Sequence, residues 1–382
     1  MPKREPVAVV TADTHIQKRT WNHKPIFEDA YFGFCQIVDY AVEQELPIIG
    51  AGDLINYRVN EPEPIVFLRE QLKRLEDLGL KFYYIQGQHE LDDTPWMQLG
   101  ANAVHLHERL ITVDYCDLSI CGLDYQPKDK FQEALDRLPS AEVLVTHQVW
   151  SDFMGSITLP QGSFNDIPGP VETVITGDYH GETILDSYRG RDDQNLLVFN
   201  PGPTHMLKID EDSPKHFGVL YSNASVQKFQ LKTRKFDYYL LSRKSEIEEF
   251  IENYPKYLEE VEEYATVNDL PEALQKPILR IGYPHRLSED MRRIGKVVDN
   301  KAHLFWNEIP PTQEESVKNR NLVNVPVEGE ALTLEGCLTE AVDSKKEPQT
   351  FKLAQRLLQA DEKELEVRRW LKEQTDDKLE SG

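Results

Sequence analysis

The 382 residues carry 43 Lys and Arg against 66 Asp and Glu, a formal net charge of −23. A surface that gripped nucleic acid unaided would be basic, so that role would need bound metals, a local basic strip or a partner chain. Hydrophobic residues at 40% and charged residues at 29% describe an ordinary globular protein, and the length fits one large domain with a small one or appendages.

No apolar run is long enough to span a bilayer. Val7 to Val10, after a short polar start, reads as a first strand and not as a signal peptide. Phe27 to Glu43 has apolar residues at helical spacing, Leu46 to Gly50 is the next strand, and Pro64 to Leu78 is a strongly periodic helix with Ile65, Leu68, Leu72, Leu75 and Leu78 on one face. Lys81 to Ile85 completes a βαβαβ opening, which argues for a layered α/β domain with parallel pairing at its centre. Strands then come faster, at Leu110–Val113, Leu118–Cys121, Glu142–Val145, Thr173–Ile175 and Leu196–Phe199. Phe217–Tyr221 and Val226–Leu231 form a hairpin across Asn223-Ala224, so this half is mixed or antiparallel. After Lys232-Thr233-Arg234-Lys235-Phe236 the composition shifts. Ser245–Glu262 is an acidic helix, Ile278–Ile281 a strand, Leu287–Val297 a helix and Ala302–Trp306 a strand, a small α/β unit of its own. Glu308 to Glu330 lacks periodicity and reads as a linker. Thr333–Val342 and Thr350–Gln374 then give one short helix and longer amphipathic ones, with Phe351, Leu353, Leu357, Leu358, Leu365, Val367 and Leu371 on apolar faces.

Cys35, Cys116, Cys121 and Cys337 are too few for a disulfide scaffold. Cys116 and Cys121 would make only half of a zinc site. The four are read as reduced thiols of a cytoplasmic protein.

Five polar clusters each follow a strand: Asp13-Thr14-His15, Gly52-Asp53-Leu54-Ile55-Asn56, Gly87-Gln88-His89-Glu90, Thr146-His147 and Gly177-Asp178-Tyr179-His180. In an extended segment Asp13 and His15 share a face, as do Asp178 and His180, so each pair can reach one metal. The glycines before Asp53 let the backbone come close, and its two oxygens can bridge two ions. Gln88 offers a carbonyl oxygen. His89 suits proton donation to a leaving alkoxide or steadying of a transferring phosphate, while Glu90 caps or orients. Taken singly, each cluster has a bland reading: a helix cap, a Gly-Asp turn, a lone surface histidine. Their joint occurrence at strand exits, where α/β folds bind substrate, favours one site for two divalent metals that hydrolyses a phosphate ester.

These residues resemble the calcineurin-like metallophosphoesterase superfamily, whose pattern is Asp-x-His, Gly-Asp-x-x-Asp, Gly-Asn-His-Asp/Glu, a lone His and Gly-His-x-His. The likeness covers about residues 7 to 205. Within the superfamily the chain looks most like SbcD-type DNA nucleases, relatives of the meiotic-recombination-eleven exonuclease. The features that point there are Gly52-Asp53-Leu54-Ile55, Asn200-Pro201-Gly202-Pro203, Lys232 to Phe236 and Pro277-Ile278-Leu279-Arg280. A bacteriophage version fits the compact length.

The resemblance implies an αββα sandwich as a nuclease domain over residues 1–235, a small α/β capping domain over 236–310, a linker over 311–330 and a helical tail over 331–382 that docks on an SMC-like ATPase of the SbcC type. By resemblance, Asp13, His15, Asp53 and His180 hold one metal, and Asp53, Gln88, His147 and Asp178 the other. A hydroxide between the ions is the nucleophile, and His89 acts at the transition state. Gln88 stands where the family has Asn and Asp178 where it has His, so the second site gains a hard oxygen, which favours manganese or magnesium. Asn56 stands where relatives carry the Asp or His near the catalytic histidine; it can accept a hydrogen bond but holds no charge. The expected partners are DNA, the ATPase and a second copy across Pro64–Leu78 and Thr94–Gly100, with no membrane. Location would be bacterial cytoplasm, or that of a host if phage-encoded. Lys18, Arg19, His23 and Lys24 form either a basic strip on the substrate side or a solvated loop. Two other functions stay open: a small-substrate phosphatase or phosphodiesterase on the same scaffold, though Asn56-Tyr57-Arg58-Val59 lacks the Asp-Arg-Gly of protein phosphatases, and a non-catalytic scaffold for the ATPase.

Overall fold

Strand β1 (Pro6–Thr11) is a run of small and β-branched residues buried on both faces, which suits the centre of a sheet covered on each side. In a computed structural model the described residues are 4–309, without 17–25, 27, 57–61, 92–99, 101, 114–115, 154–159, 182 and 208–213. The expected basic strip at Lys18 to Lys24, most of Thr94–Gly100, Cys337, the linker and the tail lie outside them.

In chain order come α1 (Glu28–Glu43), β2 (Ile48–Ala51), α2 (Pro62–Glu76), β3 (Phe82–Ile85), β4 (Ala103–His105), β5 (Leu110–Val113), β6 (Leu118–Leu123), α3 (Lys128–Asp136), β7 (Val143–His147) and β8 (Thr173–Gly177). They are followed by β9 (Ile184–Arg189), β10 (Asn195–Asn200), β11 (His216–Tyr221), β12 (Val226–Gln230), β13 (Phe236–Leu240), α4 (Lys244–Val267), α5 (Glu272–Gln275), β14 (Ile278–Pro284), α6 (Ser288–Val298) and β15 (His303–Ile309).

Two six-stranded mixed sheets result. One has the order β12-β11-β1-β2-β3-β4 and the other β5-β6-β7-β8-β10-β9. In the first, β1, β2, β3 and β4 run parallel, and β11 and β12 close the edge antiparallel. In the second, β6, β7, β8 and β10 run parallel, flanked by antiparallel β5 and β9. Ala8, Val10, Ile49 and Ile85 of the first sheet share a core with Ile120, Val143, Val145, Ile175 and Phe199 of the second, so the sheets pack face to face. The outer face of the first is covered by α1 and α2 through Phe34, Ile37, Leu68, Leu72 and Leu75. That of the second is covered by α3 together with Trp150, Phe153 and Phe164. The order of layers is therefore αββα, as the resemblance implied, and each large apolar side chain fully buried stabilises by about 1.5–3 kcal/mol.

The third sheet, β13-β14-β15, is parallel throughout, with its own core of Ile247, Phe250, Tyr254, Leu279, Ile281, Met291 and Ile294 from one strand and two helices. Helix α1 holds the segment entering it. Arg234 donates from Nη2 to Asp29 Oδ1 at 2.7 Å, from Nε to Oδ2 at 3.0 Å, and from Nη1 to Lys276 O at 2.6 Å. Gln36 pairs with both backbone groups of Lys232 at 2.8 Å.

Two local expectations differ. Leu78 lies beyond the end of α2 and is 50% exposed, because the helix stops at Glu76 and Gly79 takes φ +72° to turn the chain. Glu308 belongs to β15 and not to a linker, since its backbone pairs with Tyr283. β4, β9, β13 and α3 carry no expectation above: the first is three partly buried residues, the next two are edge strands that are half exposed, and α3 has only Phe131, Ala134 and Leu135 on its buried side.

Candidate metal centre

The carboxyl ends of β1, β2 and β3 from one sheet meet those of β7 and β8 from the other at one edge of the sandwich. All five polar clusters lie there. Convergence does not come from extended backbone, as expected for Asp13 and His15. Asp13, His15, Asp53 and Asp178 have φ of 50°, 44°, 50° and 75°, a left-handed conformation uncommon outside glycine. The loops after β1 and β2 hold each other in it: Asp13 N–H donates to Gly52 O, His15 N–H to Asp53 O, and Asn56 N–H to Ile16 O, at 3.1, 2.9 and 3.1 Å. Such strain persists where surrounding bonds over-determine it.

Asp53 Oδ2 is the hub. It lies 3.6 Å from His15 Nε2, 3.4 Å from His147 Nε2 and 3.8 Å from His89 Nε2. Asp13 Oδ1 lies 3.0 Å from His180 Nε2, 3.7 Å from His15 Nε2 and 3.9 Å from His147 Nε2. Among the described residues three sets bring their ligand atoms within 4.8 Å of one another: Asp13, His15 and His180; His15, Asp53 and His89; Asp13, Asp53 and His147. Gln88 and Asp178 meet near the same nitrogen of His147. Gln88 Nε2 donates to Asp178 Oδ1 at 2.6 Å, and that oxygen is 4.0 Å from His147 Nε2.

Glycine permits this crowding. A Cβ on Gly52, which has φ +86°, would sit 2.5 Å from His147 Nδ1, and one on Gly87 would sit 2.0 Å from Asp53 Oδ1. Glu90 orients the loops, as its position in the sequence suggested. Its oxygens accept from Ile55 N–H at 2.9 Å and Gly87 N–H at 3.2 Å, tying the Asp53 loop to the Gln88 loop. Burial, then the charge of Asp53, pushes its carboxyl up to about 8.

The charges balance locally. Burial alone would raise Asp13 and Asp53, but His180, His15 and His147 around the first, and His147 and His15 around the second, hold both below the ordinary carboxylate range. Burial lowers His15, against the pull of Asp13 and Asp53. For His147 burial is overcome by Asp53, Asp13 and Asp178, which raise it well above its usual value. Its Nδ1–H donates to Ala51 O at 2.7 Å, so Nε2 faces the carboxylates. Asp53 Oδ2, His147 Nε2, Gln88 Oε1 and Asp178 Oδ2 are buried without a hydrogen-bond partner. Buried anionic oxygens and imidazole nitrogens left over in this way, mixed O and N in kind, suit divalent cations.

Asn56 departs from expectation. It is fully buried and neither atom of its carboxamide makes a hydrogen bond, so none reaches His89. Its backbone N–H donates to Ile16 O. Asp124, His105 and Gln86 escaped the sequence reading. Asp124 also follows a strand, but it stands alone, with no partner nearby in sequence.

No protein-family model matches the chain. Its layered α/β fold with a histidine–carboxylate cluster across both sheets extends the metallophosphoesterase resemblance from motifs to architecture. The sequence is similar to proteins named DNA double-strand break repair protein Mre11. It is 25% identical over 223 residues to that of Methanosarcina acetivorans, covering 55% of this chain and 36% of the relative. For Sulfurisphaera tokodaii the figures are 26% over 200 residues, 47% and 50%, and for Methanosarcina mazei 24% over 283 residues, 68% and 44%. The chain thus spans half or less of the length of these relatives. Among the described residues no helix is long and apolar enough to cross a membrane.

Proposed function

We propose that the chain is a nuclease subunit that hydrolyses DNA phosphodiester bonds with two divalent metal ions. The observation that carries this reading is the hub at Asp53, whose Oδ2 has three imidazole nitrogens within 3.8 Å and no hydrogen-bond partner. The relatives' name, DNA double-strand break repair protein Mre11, supports DNA as the substrate. Asp13, His15, Asp53 and His180 would hold one ion, and Asp53, Gln88, His147 and Asp178 the other. When bound, the ions supply Lewis-acid stabilisation of charge on the phosphoryl oxygens.

The chain's own groups do the rest. Asp13 and Asp53 stay ionised, and His15 stays neutral with a lone pair to offer. His147 is held in one orientation by Ala51 O. His89 sits at the rim with its side chain 34% exposed, and its backbone N–H donates to Asp53 Oδ1 at 3.1 Å. From there it can give a proton to the leaving 3′ oxygen. Among the described residues the Asn56 side chain makes no hydrogen bond, so no step is assigned to it. The hard oxygen of Asp178 favours manganese, with magnesium as the alternative. A net charge of −23 disfavours holding a duplex by surface charge, so the SMC-like ATPase, docked through the C-terminal segment, would hold it, with the nuclease as a homodimer.

The test offers the purified chain Mn2+ with linear duplex DNA, p-nitrophenyl phosphate and its bis-ester. DNA and the diester should be cut, and His89→Ala should lower kcat by about 10²–10⁴-fold while Mn2+ still binds. Turnover of the monoester alone would make the protein a phosphatase. Neither Mn2+ binding nor cleavage would leave only the scaffold role.

A further inference from the structure

The geometry points to Asp124 as a positioning residue, acting with His105 through the loop that carries Gln88 and His89; this rests on the phosphodiesterase reading of the site. Asp124 follows β6 in the second sheet and is 5% exposed. Its Oδ1 accepts the N–H of Gln86, across the sandwich at the end of β3, at 2.8 Å. The next residue returns the bond: Tyr125 N–H donates to Gln86 O at 2.8 Å. Gln86 is thus gripped on both backbone groups, two residues before Gln88. Its own side chain closes the loop, donating from Nε2 to Glu90 O at 3.3 Å. The carbonyl of Asp124 accepts from Gln148 Nε2 at 3.3 Å, and Gln148 adjoins His147. One residue therefore ties together the loops that present Gln88, His89 and His147.

Its carboxylate is held in turn. His105 Nε2 lies 2.9 Å from both oxygens. The His105 ring is stacked on Tyr84 at 5.0 Å and 10°. His107 Nδ1 accepts the N–H of Asp124 at 3.2 Å, which fixes that ring as the tautomer with its lone pair on Nδ1. A buried carboxylate with a charge-assisted partner is a stiffer anchor than a neutral amide, because such bonds are shorter and roughly twice as strong. A loop so anchored has little freedom to move Gln88 or His89. Groups that orient metal ligands in this way typically change affinity or activity by about 10- to 100-fold when removed.

The experiment compares the full chain with Asp124→Leu, Asp124→Asn and His105→Leu. It reads Mn2+ binding by equilibrium dialysis, kcat and KM on bis(p-nitrophenyl) phosphate, and urea unfolding. Asp124→Leu should weaken Mn2+ binding and lower kcat by about 10- to 100-fold with KM near wild type. Asp124→Asn keeps an acceptor for Gln86 N–H and should recover most of the loss, with His105→Leu in between. Variants that lose stability but retain wild-type kcat per bound Mn2+ would overturn the inference, as would failure of all three to fold. A wild-type chain that neither binds Mn2+ nor cuts the diester removes the site reading and the inference with it. Wild-type activity together with unchanged variants removes the inference alone.

Discussion

An alanine at position 87 would put its Cβ 2.0 Å from Asp53 Oδ1, 2.6 Å from its Cγ and 2.7 Å from its amide nitrogen. Gly87 is not among the positive-φ glycines, so the conflict is contact and not torsion. Ordinary contact begins at 3.4 Å, and the gap must open by 1.4 Å (3.4 − 2.0). Neither side yields easily. Glu90 bonds the Gly87 and Ile55 amides, His89 N–H donates to Asp53 Oδ1, and Asp53 is fully buried. Overpacking of this kind costs about 1–3 kcal/mol of stability. Displacing Asp53 by ~1 Å should cost about 10²-fold in rate, or about 2.7 kcal/mol of transition-state stabilisation. Urea unfolding reads the first effect, and diester hydrolysis with Mn2+ titration reads the second. Wild-type stability, Mn2+ affinity and kcat in Gly87→Ala would refute the claim that Asp53 is held fast against this loop.

Metal must displace the proton that Asp53, Asp13 and Asp178 keep on His147, so Mn2+ binding should release protons and tighten as pH rises; calorimetry in buffers of different ionisation enthalpy that found no release would contradict this. In the metal-free protein His147 and Glu90 both titrate above their unfolded values. Above about pH 6.5 the folded state then holds more protons than the unfolded one, and stability should fall as pH rises from there through about 8, with a flatter slope in Glu90→Gln. Asp29→Ala removes the carboxylate that faces the buried Arg234 guanidinium, whose side chain is 1% exposed, and should cost about 3–5 kcal/mol in urea unfolding; a loss under about 1 kcal/mol would mean the pair does not hold the third sheet's entry. Burial pushes the Cys121 thiol up to about 12, so iodoacetamide at about pH 8 should label it only after unfolding, and labelling in the native protein as fast as Cys116 would show that the site opens.

A layered α/β domain with parallel strands at its centre was legible because buried strands such as Val7–Val10 and the periodic helices α1 and α2 announce themselves by apolar spacing, whereas the αββα order came from the family resemblance. The chemistry of the candidate site was legible too, since strand exits are where loops leave a sheet, and five of them carry Asp, His or Gln. Edge elements such as β4 and β9 were not, because half-exposed strands carry no apolar run. Nor was the left-handed backbone at Asp13 and His15, which exists only because the loop after β2 bonds to it. The burial of Asn56 and the grip of Asp124 on Gln86 likewise needed both sheets in place. Sequence by itself determined which groups could act and on which strands they ride. Only the packing of one sheet on the other decided which of those groups meet, because hydrogen bonds between residues far apart in the chain form only after the sandwich has closed.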